Sequence, residues 1–460
     1  EKVINRDVEL TKVYATSKSE IMTPEPNVEF GFYNSKGELY KTGKTDKNGK
    51  LNINLVYGTY TVKQLTTSKD TTKVDDFTIK VYEMGDKIYY TISNAEITAK
   101  LKVVKIDKDT KQIIARKNIK FRIYNVDTKE YVKQTITYPT AKTIDVFETD
   151  SNGILITPYP LKAGTYYLEE VDQKIDGYLW NKNSVEFKIG EDSKLINDEE
   201  FGILFEVKFE NKAVKGSLEL TKTGEEVELT DNGYIYTKIN LKGVKIGLYA
   251  RENIYDALGN LKYKKGTLVK ELITDENGYV KVDDLYLGKY YLQEIETVNN
   301  HVLDKTKYNF NLEYKDQYTE VINYKTTLEN HLPKGTLEFT KSDYSNSKTL
   351  PNTLIEIYNE NDELVYSGRT DENGKIIIDK LPVGKYYILE KEAPEGYKIN
   401  EEKMYFEITE DGQVVKCNML DEAYEVPNTG LSNINYELIG SIVLIVSGLG
   451  LFLYGTKKRK

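Results

Sequence analysis

Short runs of this chain alternate apolar and polar positions with period two. Residues 28–33 (VEFGFY), 119–124 (IKFRIY), 244–249 (VKIGLY) and 353–358 (TLIEIY) show the pattern most clearly. Such a run reads as a strand with one buried and one wet face. Helical periodicity is almost absent before residue 430. After each run comes a turn signal: TDKNG (45–49), TDSNG (149–153), TDENG (274–278) and TDENG (370–374). Here glycine supplies the positive φ that a hairpin turn requires. A third element follows at a near-constant distance: GTYTVKQ (58–64), GTYYLEE (164–170), GKYYLQE (288–294) and GKYYILE (384–390). A fourth precedes the other three: VELTK (8–12), LKVVK (101–105), LELTK (218–222) and LEFTK (337–341). The same order of elements in four copies predicts an all-β chain, a tandem array of four Ig-like β-sandwich domains. Boundaries fall at 1–98, 99–213, 214–332 and 333–424, each long enough for its own core. Linkers poor in Gly and Ser imply a semi-rigid rod.

The pattern changes at 425–460. An uncharged apolar run from Leu438 to Tyr454 is followed by Lys457-Lys458-Arg459-Lys460. As a helix the run spans roughly 25 Å, close to a bilayer core. The basic end is what the cytoplasmic side of a membrane selects. The expectation is a C-terminal hydrophobic helix that inserts transiently, with the bulk of the chain outside. Composition agrees with export. Lys+Arg 64 against Asp+Glu 73 gives a net charge of −9, which argues against a nucleic-acid partner. A single cysteine, Cys417, leaves no intrachain disulfide, although exported domains often rely on them. The chain begins at Glu1 rather than Met, as a mature form or a fragment would. Tyr reaches 38, which favours strands. Much of it falls in the repeated strands and is expected in the core.

Val426-Pro427-Asn428-Thr429-Gly430, just ahead of the apolar run, resembles the LPxTG sorting signal of Gram-positive surface proteins, with Val426 in place of Leu. That resemblance implies cleavage by sortase between Thr429 and Gly430. It also implies transfer of the new carboxyl end to peptidoglycan or to a pilus subunit, so that the protein is extracellular and wall-anchored. The repeats themselves resemble the Cna-B (SpaA-like) domains of Gram-positive adhesins and pilins, which have a prealbumin-like fold. YYILEKEAPEGY (386–397) lies close to the family's YxLxExxAPxGY box.

This second resemblance implies a spontaneous isopeptide bond between a Lys on the first strand and an Asn on the last, catalysed by a buried Glu. Carried over, it points to Lys105, Glu170 and Asn211 in the second domain, Lys222, Glu294 and Asn330 in the third, and Lys341, Glu390 and Asn418 in the fourth. Asn323 competes as acceptor in the third domain, whose box lacks Ala-Pro and Gly-Tyr. In the first domain Lys12 and Asn94 are present, but Gln64 stands at the Glu position. A Gln cannot shuttle a proton, so that domain is expected to stay uncrosslinked. Spacing supports the set: from Asn94 to Lys105, Asn211 to Lys222 and Asn330 to Lys341 the separation is always 11.

The residue types suit the chemistry. An amine attacks only when neutral, and burial favours neutral forms of both amine and carboxyl groups. The carboxyl can polarise the amide and carry a proton to departing ammonia, while folding holds the partners together. Each event occurs once, so the chain is not an enzyme, and no cofactor or metal is called for. The TDxNG turns lack the ligand count of a calcium loop. His301 and His331 read as surface residues. Trp180 reads as a packing residue, and Cys417 as facing outward or lining an interface if Asn418 faces the core. The leading expectation is a surface stalk or minor pilin. A pilus backbone or basal subunit is the alternative, although Tyr138-Pro139-Thr140 and Tyr159-Pro160-Leu161 have no Lys directly following and Lys142 is a weak substitute. A module that binds host extracellular-matrix protein is a third reading.

Overall fold

The computed structural model describes residues 3–16, 19–67, 71–94 and 96–425. Val426–Gly430, the apolar run and the basic tail therefore lie outside the described residues. Among the described residues every regular element is a strand, with no helix. Contacts group the chain into two units. The first comprises residues 1–215 with 255–260 and 313–322; the second comprises 216–254, 261–312 and 323 onward.

The first unit holds two sandwiches. In the first of them Asn5–Thr16 is the central strand of one sheet. It runs antiparallel to Lys50–Val56 and Ser19–Pro24 and parallel to Ile88–Ser93. The opposing sheet is Leu39–Lys44, Glu29–Tyr33, Gly58–Gln64 and Phe77–Val81 in that order. Val8, Leu10, Phe30, Phe32, Val62 and Ile79 fill the space between. The second sandwich repeats this plan. Thr98–Asp107 lies parallel to Gly202–Asn211 and faces Lys120–Asn125, Gly164–Glu170 and Val185–Ile189.

The second unit holds the other two. Lys215–Thr230 pairs with Val321–Glu329, and Lys334–Asp343 pairs in parallel with Val414–Asp421. The opposing sheets contain Gly288–Glu296 and Gly384–Glu392. Alternation along each strand explains the burial: Leu218, Leu220, Leu337 and Phe339 are inside because every second residue faces one way. The fold is thus the all-β array of Ig-like sandwiches that the sequence predicts.

Two repeated motifs acquire physical roles. In each TDxNG turn the Asp carboxylate accepts backbone N–H groups two and four residues on. Asp46 holds Asn48 and Lys50 at 2.8 and 2.9 Å, and Asp371 holds Asn373 and Lys375 at 2.8 and 2.7 Å. The turn's glycine then reaches the opening strand. Its carbonyl accepts the backbone N–H of Lys12 (2.7 Å), Lys105 (3.0 Å), Lys222 (2.7 Å) and Lys341 (2.9 Å) in the four copies. At Gly278, φ is 66° and a Cβ would lie 2.3 Å from the Lys222 carbonyl oxygen, so only glycine fits. The G-x-Y element places a buried Tyr whose hydroxyl donates to the carbonyl four residues back. The pairs are Tyr60 to Val56 (3.1 Å), Tyr166 to Lys162 (2.8 Å), Tyr290 to Tyr286 (2.6 Å) and Tyr386 to Pro382 (2.7 Å). A buried hydroxyl without such a partner would cost about 1–3 kcal/mol, so these tyrosines belong to the core by virtue of that bond.

Candidate functional site: a buried lysine in each sandwich

Each sandwich encloses one lysine on its central strand. The side chains of Lys12, Lys105 and Lys341 are 0% exposed and that of Lys222 is 1% exposed. Lysine is seldom buried to this degree without a partner. In the second, third and fourth domains the partners come from the parallel neighbouring strand or its end and from the opposite sheet; in the first the acid follows the antiparallel neighbour Ser19–Pro24.

In the second domain the Lys105 ammonium lies 2.8 Å from Glu170 and donates to Oδ1 of Asn211. Asn211 donates through Nδ2 to both Glu170 oxygens, at 3.2 and 3.0 Å, and to the Leu179 carbonyl at 2.9 Å. The rings of Phe121 and Phe209 flank Nζ, 5.4 and 4.4 Å away. Burial pulls the Lys105 pKa down to about 8, against the opposing pull of Glu170. The neutral amine is thus accessible near physiological pH.

The third domain brings the same three residue types together, with Glu294 farther from the ammonium, at 3.9 Å. Lys222 donates to Asn330 Oδ1 at 2.6 Å. Asn330 donates to both oxygens of Glu294, at 2.7 and 2.9 Å, and to Thr297. Burial again lowers the lysine pKa. Asn323, the competing acceptor, is exposed and contacts Ser217 instead. His301 is not a surface residue. Its imidazole is 6% exposed and bridges the carbonyls of Val298 and Glu225, 2.9 Å from each. It fills room created by Gly224, where the second and fourth domains have Asp107 and Asp343. Those two aspartates accept the hydroxyls of Tyr178 (3.0 Å) and Tyr397 (2.8 Å). The missing box residues of the third domain are thereby replaced in space.

The fourth domain departs from the sequence expectation. Asn418 is exposed, and its Oδ1 accepts a bond from Ser342 at 3.1 Å. The residue beside Lys341 is Asp421, which accepts from Nζ, with Glu390 3.1 Å away. Strand register gives the reason. Asn211 pairs with Asp107, two residues past Lys105. Its counterpart, two residues past Lys341, is Asp343, which pairs with Asp421. Asn418 is three residues earlier, and an odd shift turns a strand residue to the other face. With Asn418 turned outward, its neighbour Cys417 packs against the core, and burial raises its thiol pKa to about 11. Burial also raises Asp421 to about 7, with Lys341 opposing and Glu390 adding to the rise. Asp421 Oδ2 and Glu390 Oε1 are both buried without a hydrogen-bond partner among the described residues. One proton shared between the two carboxyls would relieve both.

The box glutamates have a second task. Each accepts a backbone N–H from the segment ten or eleven residues on: Glu170 from Asn181 (3.0 Å), Glu294 from Asp304 (2.9 Å) and Glu390 from Asn400 (2.7 Å). Trp180, read as packing, donates its indole N–H to the Glu170 carbonyl at 3.0 Å. In the first domain Gln64 performs this clasp alone, accepting from Val74 at 3.2 Å. That domain nevertheless has an acid at its lysine, and the sequence gives no hint of it. Glu25, fully buried, lies 2.8 Å from Lys12, and Asn94 donates to it at 3.2 Å.

With this geometry established, similarity to known proteins defines the class. A family model described as a prealbumin-like fold domain, SpaA, matches residues 6–96, 99–200, 216–327 and 335–423. The chain therefore belongs to the SpaA family of prealbumin-like domains, in four copies. No curated protein matches the chain. Among solved structures it is similar to the Bacillus anthracis TIE protein, with 22% identity, 92% of this chain and 75% of that chain covered, and a TM-score of 0.47. It is also similar to BcpA, the major pilin subunit of Bacillus cereus, with 16% identity, 71% and 100% covered, and a TM-score of 0.32. A streptococcal ancillary pilin matches with 18% identity, 71% and 99% covered, and a TM-score of 0.25.

Proposed function

We propose that this chain is a pilin-type surface stalk of a Gram-positive cell, whose domains staple themselves with internal amide bonds. The observation that carries this reading is the meeting of a buried lysine with a carboxamide or carboxyl group and a carboxylic acid in the same pocket. In the second and third domains neutral Nζ attacks Cγ of Asn211 or Asn330. The new C–N bond replaces the Cγ–Nδ2 bond, and Nδ2 leaves as ammonia with the proton carried over by Glu170 or Glu294. In the fourth domain Nζ of Lys341 attacks Cγ of protonated Asp421, Glu390 relays the proton, and water leaves. Pre-placed partners supply the effective concentration. The groups differ in what they release, but each product is a neutral amide tying the first strand of a sandwich to its last.

A stalk needs an attachment. The VPNTG sequence, apolar run and basic tail supply one if sortase joins Thr429 to peptidoglycan or to a pilus subunit. In a Gram-positive host with sortase, the wild-type protein is expected in the wall fraction, released only by muralytic digestion. Thr429→Ala is expected to shift nearly all of it to the membrane fraction or the medium. An unchanged wall fraction for Thr429→Ala would refute the anchoring route.

A further inference from the structure

We infer that the first domain also carries a self-crosslinking site, Lys12 to Asn94, with Glu25 as its catalytic acid. The inference rests on the crosslinking reading of the other domains, and the first domain adds an exchange of positions that can be followed bond by bond. In every domain the carbonyl of the buried lysine accepts one backbone N–H from the segment after its strand. The donors are Ile114 to Lys105 (2.9 Å), Leu241 to Lys222 (3.0 Å), Leu350 to Lys341 (2.8 Å) and Glu25 to Lys12 (2.9 Å). Three of these four residues are buried and aliphatic; the first domain has a glutamate there, equally buried. The box position shows the reverse. Glu170, Glu294 and Glu390 are acids, and the first domain has Gln64. Both changes occur in one domain, and together they keep one carboxyl group in the pocket.

Each half keeps one of the two tasks that a box glutamate performs. Gln64 retains the clasp on the later segment through Val74, a task that needs only a carbonyl oxygen. Glu25 takes the proton, a task that needs a carboxyl group. Its Oε2 lies 2.8 Å from Lys12 Nζ and 3.2 Å from Asn94 Nδ2, between the attacking and the leaving nitrogen. Thr71 accepts a second bond from Nδ2 at 2.7 Å and fixes the amide. Among the described residues the side-chain Oδ1 of Asn94 has no hydrogen-bond partner. Burial lowers the Lys12 pKa against the pull of Glu25. Register agrees as well. Lys12 pairs with Ile92 on the parallel strand, and Asn94 lies two residues further on, as Asn211 does from Phe209. The step is balanced: Nζ–Cγ forms, Cγ–Nδ2 breaks, and ammonia leaves with a proton that Glu25 has relayed from Nζ.

The test is peptide mapping of the full chain by mass spectrometry after proteolysis. Wild type is expected to yield a linked Lys12–Asn94 peptide pair lighter by one ammonia. Glu25→Gln is expected to lose that pair while keeping Lys105–Asn211 and Lys222–Asn330, which serve as internal controls. The double change Glu25→Leu with Gln64→Glu gives the first domain the arrangement of the others and is expected to restore the pair. Its failure to do so overturns the exchange. The inference also fails if wild type links the other domains but not the first, or if Glu25→Gln links as fully as wild type. Absence of linked pairs in every domain would instead overturn the crosslinking reading itself.

Discussion

Pulled by its ends, Glu294→Ala is expected to show one long extension step that the wild-type chain lacks. Lys222 and Asn330 are 108 residues apart. Freeing that segment from a folded domain adds roughly 350 Å of contour at about 3.3–3.6 Å per residue. On the proposed reading, an amide between them in wild type bypasses the enclosed chain. Force would then pass from Lys222 directly to Asn330 and on through the ten residues between Asn330 and Lys341. Forced unfolding is ordinarily limited by the unfolding rate, but a covalent closure removes that route whatever the rate. Single-molecule traces in which wild type and Glu294→Ala lengthen equally would rule out a crosslink in the third domain.

Heat gives the second large effect. Asn211→Ala deletes the acceptor and leaves the Lys105–Glu170 pair, 2.8 Å apart, in place. On the proposed reading, what it removes is a covalent loop closure between Lys105 and Asn211, 106 residues apart. By the chain-entropy relation used for disulfides, that closure is worth about 5 kcal/mol. For a domain of about 100 residues this lowers Tm by on the order of 20 °C. Glu170→Ala is expected to do more harm, because it also strands a buried lysine without its counter-charge. Differential scanning calorimetry on the full chain would resolve the affected transition. Equal melting of wild type and both variants would contradict the account.

Most of the fold can be read from the sequence because it depends on local signals that repeat. The TDxNG turn, the G-x-Y strand and the alternation in residues 119–124 or 353–358 each recur in four copies. Lys105, Lys222 and Lys341 are also legible, through their constant distance from the preceding Asn. What could not be read depends on parity and on non-local packing. Asn418 and Asp421 lie on one short strand, and only the pairing with Lys334–Asp343 shows which of them faces inward. A weak signal existed: Asp421-x-Ala423 parallels Asn211-x-Ala213, and both alanines bridge to box tyrosines, Tyr397 and Tyr178. Glu25 could not be found by aligning the copies, because its aligned partners are Ile114, Leu241 and Leu350. An acid in an aliphatic position has a meaning only once it is seen to face Lys12. His301 escaped for a related reason, since its place is created by the absence of a side chain at Gly224.

On the inference drawn from Glu25, the first domain, expected from Gln64 to stay uncrosslinked, is crosslinked like the others. All four domains have a buried lysine, an acid and an acceptor, and the fourth replaces a carboxamide with a carboxyl. High-resolution mass spectrometry of the purified, unmodified chain and its proteolytic fragments tests this directly. The account predicts a mass deficit of three ammonia and one water, with the water assigned to a Lys341–Asp421 linkage. A chain at the full mass of its sequence, or a Lys341 linked to Asn418 with loss of ammonia, would contradict it.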